Sequence, residues 1–251
     1  MTYLQFHLVF ILPPLLLLVL TSRASLARLG PRAVPAILGV LAIALVYTTP
    51  WDSELIRRGV WGYGPERVIG TLWLIHIEEY MFFIFQPLLA GLWFYRLVPP
   101  GLSNAPPPSA AFRWGGTAVY AALAVLGVVL LQRREGTYMG MILSWAAPVL
   151  AAQWALTAGR IAAARWEFAL GIAVPTLYLW VADAIAIRLG IWHISETQTV
   201  GVKLGWLPLE EATFFLATTL LCVQGLMLFL FPAKKTMPHA APAAAGSAAA
   251  P

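Results

Sequence analysis

Apolar residues in this chain come in long, nearly uninterrupted blocks separated by short polar stretches. A helix that crosses a bilayer needs about 20 mostly apolar residues. Seven blocks qualify, at 3–20, 34–50, 72–95, 113–131, 138–158, 167–187 and 205–231. The block 3–20 lacks a basic flank before it, so it reads as a span and not as a secretion signal. The block 167–187 carries Asp183 near its end, which places that end at the membrane interface. Leu97–Pro108 holds five prolines and a glycine and reads as a loop. From 232 to 251 the chain turns Ala/Pro-rich, and a disordered tail is expected. The pattern predicts an all-α integral membrane fold with seven transmembrane helices.

Composition agrees with the pattern. Of 251 residues, 60% are hydrophobic and 11% charged, where a soluble domain carries about 25% charged. Mean hydropathy is +0.78. A soluble globular enzyme of this length could not cover so much apolar surface. The net charge of +5 is spread in singles and pairs, which suits orientation in a membrane and gives no phosphate-binding stripe, so no nucleic-acid partner is expected. With the N-terminus outside, nine basic residues fall inside and seven outside, whereas ten of the eleven acids fall outside. The expected topology is N-terminus out and C-terminus in, in the cytoplasmic (inner) membrane. The single cysteine, Cys222, excludes an intrachain disulfide and any multi-cysteine metal site.

An internal repeat organises the rest. Asp52-Ser-Glu-Leu-Ile-Arg57-Arg-Gly59-Val-Trp61 aligns without a gap on Asp183-Ala-Ile-Ala-Ile-Arg188-Leu-Gly190-Ile-Trp192, with five of ten positions identical. After a linker one residue longer in the second copy, Glu78-Glu79-Tyr-Met-Phe82-Phe83 aligns on Glu210-Glu211-Ala-Thr-Phe214-Phe215. Each copy spans three predicted helices, and the fourth is a connector that lets both copies point the same way. The expected units are a first repeat, 1–98, a loop and connector helix, 99–137, a second repeat, 138–231, and the tail, 232–251. A pseudo-twofold axis along the membrane normal would bring both acid clusters to one end.

Ionisable residues in membrane helices are costly, so they face the bundle interior and usually serve a purpose. Each of the four glutamates has a phenylalanine at i+4, which puts carboxyl and ring on one helix face. Adjacent glutamates point about 100° apart, so one of each pair is expected at a site while the other meets Arg57, Arg188 or a backbone group. Asp52 and Asp183 are candidates for the same cluster, either in salt bridges with Arg57 and Arg188 or as acids that those arginines orient. Trp61 and Trp192 suit interfacial anchors or site walls. Clustered carboxyls in low dielectric cannot all ionise, so some remain proton donors beside charged neighbours. Aromatic rings tolerate a cation without trapping it. The candidate chemistry is therefore proton transfer and carbocation stabilisation by Glu78, Glu79, Glu210, Glu211, Asp52 and Asp183, with Phe82, Phe83, Phe214 and Phe215 as walls. No dinucleotide, ATP, zinc or magnesium–diphosphate motif appears, so neither a cofactor nor a metal is expected.

At these residues the chain resembles the membrane-integral lycopene cyclases of bacteria, archaea and fungi, in the form that fuses two short subunits. That family's Pro-x-Glu-Glu-x-x-Phe element looks like Pro208-Leu-Glu210-Glu211-Ala-Thr-Phe214, and His76 replaces the proline in the first copy. The resemblance implies an isomerase that closes the linear ψ-ends of lycopene to β-rings, giving β-carotene by way of γ-carotene, without flavin or net redox change. It implies the lipid bilayer as surroundings and leaves room for contacts with other carotenoid-pathway enzymes or with itself. Two other readings stand beside it: a membrane terpenoid cyclase with another substrate, and a proton or ion transporter built on the paired glutamates. A retinal protein would need a lysine within the last helix, and Lys203 and Lys234 flank that block instead.

Overall fold

The computed structural model describes residues 1–232, so the expected tail lies outside the described residues except for Pro232. The chain folds as an all-α bundle whose small β elements gather at one end. Six helical stretches are long and apolar enough to cross a membrane: Tyr3–Thr21, Arg23–Arg57, Ala110–Leu130, Arg134–Ala163, Arg165–Arg188 and Leu209–Leu230.

The first is built from α1 (Tyr3–Phe6), a π turn (His7–Ile11) and α2 (Leu12–Thr21). Thr2 and Gln5 start it with a reciprocal capping box. Pro13 and Pro14 cannot donate to the helical ladder, which accounts for the wide turn just before them. A short α3 (Arg23–Leu29) leads into α4 (Ala33–Arg57). Next come α5 (Ile77–Leu97), α6 (Ala110–Leu130), α7 (Thr137–Ala163), α8 (Arg165–Arg188) and α9 (Leu209–Leu230).

Helix α5 carries two glutamates and Arg96 and is less apolar than its neighbours, yet its 21 residues span about 31 Å at 1.5 Å each. Its first turn packs among the carboxyls described below. Near its other end, the Tyr95 hydroxyl donates to the Ala33 carbonyl at the start of α4 (2.7 Å). It packs alongside α4 and α8 as a seventh long helix of the bundle among the described residues.

The boundaries differ from the sequence expectation in an informative way. The apolar blocks beginning at 72 and 205 do not start as helix. Their first residues form hairpins of two-residue strands, β2 (Thr71–Leu72) with β3 (Ile75–His76), and β5 (Lys203–Leu204) with β6 (Leu207–Pro208). The turns place Trp73 (φ 58°) and Gly205 (φ 64°) in the left-handed region, which breaks helical continuity although every neighbour is apolar. In the other direction, the block 34–50 continues as helix to Arg57 and carries Asp52 inside α4, where it is fully buried.

A third β element was not expected. Strands β1 (Trp61–Tyr63) and β4 (Trp192–Ile194) pair antiparallel, with Gly62 opposite His193. Side chains alternate along a strand. The ribbon therefore turns Trp61, Tyr63, Trp192 and Ile194 to one face, and these four line the cavity beneath it. The Arg-x-Gly-[Val/Ile]-Trp motif explains its placement. Gly59 and Gly190 each hold φ 63° after a helix end. Gly59 N donates to Ile56 O (2.9 Å) and Val60 N to Leu55 O (3.0 Å). Gly190 N and Ile191 N repeat both bonds, to Ile187 O (3.0 Å) and Ala186 O (3.1 Å). This is a Schellman stop, whose following hydrophobe packs back on the helix; Val60 and Ile191 are both fully buried. The tryptophan after it begins the strand.

Candidate active site

The ribbon roofs a narrow cavity at the end of the bundle where α1, α5, α7 and α9 begin and α4 and α8 end. Four carboxyls line it: Asp52, Glu79, Asp183 and Glu211. No lysine or arginine lines it, and the ion pairs among the described residues involve only Glu54 and Glu196. A dry cluster of acids without a counter-cation is expensive to ionise.

Each glutamate of this set has a tyrosine. The Tyr63 hydroxyl donates to Glu79 Oε1, and the Tyr138 hydroxyl donates to Glu211 Oε1 (2.7 Å). Burial, followed by the nearby Glu79, pushes the Tyr63 hydroxyl well above the usual phenol range, so it stays protonated and acts as a donor. The ribbon tryptophans serve the two aspartates unequally. Trp192 Nε1 donates to Asp183 Oδ1 (2.9 Å). The Trp61 indole does not bond Asp52, and both oxygens of Asp52 lack a hydrogen-bond partner among the described residues. The two halves of the cavity therefore differ at this point.

The first glutamate of each pair faces elsewhere. Glu78 Oε1 accepts from Ile69 N (2.8 Å) and Glu210 Oε1 from Val200 N (2.6 Å). Both glutamates are fully buried and neither lines the cavity. They hold the linker backbone that precedes the hairpins, the backbone-group option left open by the 100° between neighbouring side chains. Arg57 and Arg188 do not reach the carboxyls. Arg57 pairs with Glu54 (2.7 Å) on an exposed surface, and Arg188 lies over the Trp206 ring. Nothing draws them inward, because each sits five residues past its aspartate on a helix turn that faces out.

The aromatic expectations converge. Phe82, Phe83, Phe214 and Phe215 all line the cavity, as do Trp61 and Trp192. Phe82 meets Phe215 edge-on at 5.9 Å, and Phe214 stacks on Trp51 at 5.5 Å. Sequence reasoning passed over Trp51, Tyr63 and Tyr138. The signal for Tyr138 was present: Thr2-Tyr3 and Thr137-Tyr138 open the first helix of each predicted repeat. Their backbones are anchored alike, Tyr3 N to Arg67 O (2.8 Å) and Tyr138 N to Gln198 O (3.0 Å). His76 occupies the same backbone position as Pro208, at φ −72° against −58°, a geometry that proline also adopts.

Comparison with known proteins places these features. The model of the lycopene cyclase family matches residues 1–97 and 135–230. Lycopene beta-cyclase of Halobacterium salinarum is 42% identical over 234 residues, which cover 91% of this chain and 95% of that protein. The bifunctional lycopene cyclase/phytoene synthase of Arthroderma gypseum is 38% identical over 247 residues, 89% of this chain but 40% of the fungal protein. That of Gibberella fujikuroi is 38% identical over 233 residues, again 39% of its length. No solved structure matches the chain.

Proposed function

The chain belongs to the lycopene cyclase family, and on that premise we propose that it isomerises lycopene to β-carotene by way of γ-carotene. The observation that carries the reading is the cavity itself, which gathers four carboxyls, the phenols of Tyr3 and Tyr63 and a wall of aromatic rings without a lysine or arginine. The proposed sequence is a proton transfer, a ring closure and a second proton transfer. A Glu79 or Glu211 carboxyl donates its proton to C2 of a ψ-end, which leaves a cation at C1. The C5–C6 double bond attacks C1, the C1–C6 bond forms, and the cation moves to C5. A second carboxyl of the cluster, ionised while its neighbours stay protonated, takes the proton from C6, and the C5–C6 double bond re-forms within the β-ring. One proton enters and one leaves, so no electron carrier is required.

Clustered carboxyls without a counter-cation cannot all ionise, so a protonated acid and an ionised base coexist in one cavity. Tyr63 and Tyr138 hold the two glutamates in place. The rings of Phe82, Phe214, Phe215 and Trp51 face the developing cation, and a desolvated cation–π contact is worth about 2 kcal/mol. Glu78 and Glu210 shape the site by fixing the linkers, with no proton role. We further place the chain as two parallel three-helix repeats, 1–98 and 138–231, joined by α6, in the cytoplasmic membrane with the N-terminus outside. Expression in lycopene-accumulating bacteria tests the reading. β-Carotene or γ-carotene is expected by chromatography and absorption; unchanged lycopene, with the protein present in the membrane, would contradict it.

A further inference from the structure

A second, roomier cavity adjoins the acidic one, and Phe82, Phe83 and Phe214 line both. It runs down α9 from Phe214 to Phe229, fifteen residues or about 22 Å of helix. Its walls are almost wholly apolar, with Val40 and Ala44 from α4, Val149 from α7, and Leu221, Cys222 and Gly225 from α9. Among the described residues α4 and α7 touch little, and both pack on α9. The mouth between α4 and α7 shows Ile43, Tyr47 and Phe229 at 54%, 38% and 43% exposure, on the flank that faces lipid.

One bridge crosses the mouth. The Tyr47 hydroxyl donates to the Trp145 carbonyl (2.9 Å), the two rings stack at 5.3 Å, and Trp145 stacks in turn on Trp51 of the acidic cavity. The related position in the other half is crossed by Tyr178 to Phe10. Behind it, however, Phe94 packs against Gly171, and Leu15, Ile172 and Leu226 fill one cluster.

We infer that the second cavity is a binding site for the extended, uncyclised arm of a long acyclic polyene. The polyene enters sideways from the bilayer past Tyr47 and Trp145 and threads its end group up to the carboxyls. The inference rests on the proposed cyclase function for the identity of the ligand. The cavity supplies the geometry: it is long, apolar, open on the outer flank of the bundle and continuous with the acidic cavity at Phe82, Phe83 and Phe214. The linear hydrocarbon has no polar group to recognise, so apolar burial along its length supplies affinity, and specificity for length follows from where the cavity ends. Gly225 and Ala44 decide how much room remains. A methyl at Gly225 would meet Val40 at 3.4 Å and Gln153 at 3.5 Å, ordinary contacts, whereas a ring there would project into the cavity.

The test is binding of purified lycopene to the full chain in detergent, read as circular dichroism induced in the polyene absorption band. Turnover is followed in parallel on lycopene and on a shorter apocarotenoid with one ψ-end. The unsubstituted chain should bind. Gly225→Phe, and separately Ala44→Phe on the facing wall, should weaken binding at least tenfold, about 1.4 kcal/mol, with far-UV dichroism unchanged. Turnover of the shorter substrate should fall much less than that of lycopene. Equal binding by parent and variants, equal losses on both substrates, or no binding by the parent would overturn the assignment. Binding by the parent without turnover would sink the cyclase reading and leave the cavity assignment standing.

Discussion

Glu78 and Glu79 are adjacent, and the helical step between them sends the Glu79 carboxyl into the cavity and the Glu78 carboxyl to the Ile69 amide. Glu211 and Glu210 divide in the same way. The two kinds of glutamate should therefore fail differently. Glu79→Gln and Glu211→Gln keep the shape and remove the acid; each should cut the rate of ring formation roughly a hundredfold or more, measured as product per minute at saturating lycopene. Glu210→Ala strands a buried amide and should lower unfolding free energy by about 1–3 kcal/mol. The thermal midpoint reads that loss, and an unchanged midpoint would contradict the linker role. Tyr63→Phe removes a buried hydrogen bond of roughly 0.5–1.5 kcal/mol. It should slow turnover at least tenfold while the fold stays intact, and full activity would show that the phenol is idle. The paired acids were legible in the sequence because adjacent carboxylates in an apolar helix have few innocent explanations. Which member faced inward was not, because that depends on where the linker amides lie. The aspartates looked like partners for arginines five residues on, but burial carried them to the cavity instead.

Helices were legible as elements because their cores are uniformly apolar, and their ends were legible only where a backbone signal exists. Gly59 and Gly190 are such signals, at φ 63° with open space around the missing side chain. Gly190→Ala should cost about 1 kcal/mol from the left-handed backbone alone, and Gly190→Asn less. A denaturation series separates the two. Equal stability of all three proteins would mean that the stop is made elsewhere. The hairpins before α5 and α9 were hidden, since Leu72, Leu74 and Ile75 read the same in a hydropathy window whether helical or extended. The ribbon of β1 and β4 was hidden for a different reason. Its strands lie 131 positions apart, and only the meeting of the two halves pairs them.

Across the whole molecule, corresponding elements keep corresponding bonds: the Schellman stops, the glutamate-held linkers, the anchored Tyr3 and Tyr138 amides and the Tyr47 and Tyr178 bridges. The motif order forecast that both acid sets would share one end of the bundle, and Asp52, Glu79, Asp183 and Glu211 line one cavity there. What it could not forecast is the departure from symmetry. Asp183 is held by Trp192 while Asp52 has no such partner, and one flank is hollow where the other is filled. Those differences come from side-chain packing after the halves meet. The central claim is that a protein carboxyl delivers a solvent-derived proton to the substrate while the cavity takes one back. It is tested most directly by cyclising lycopene with the purified chain in deuterium oxide and weighing the product. One deuterium per ring formed, located at C2, is the expected result; rings formed without deuterium would contradict the account.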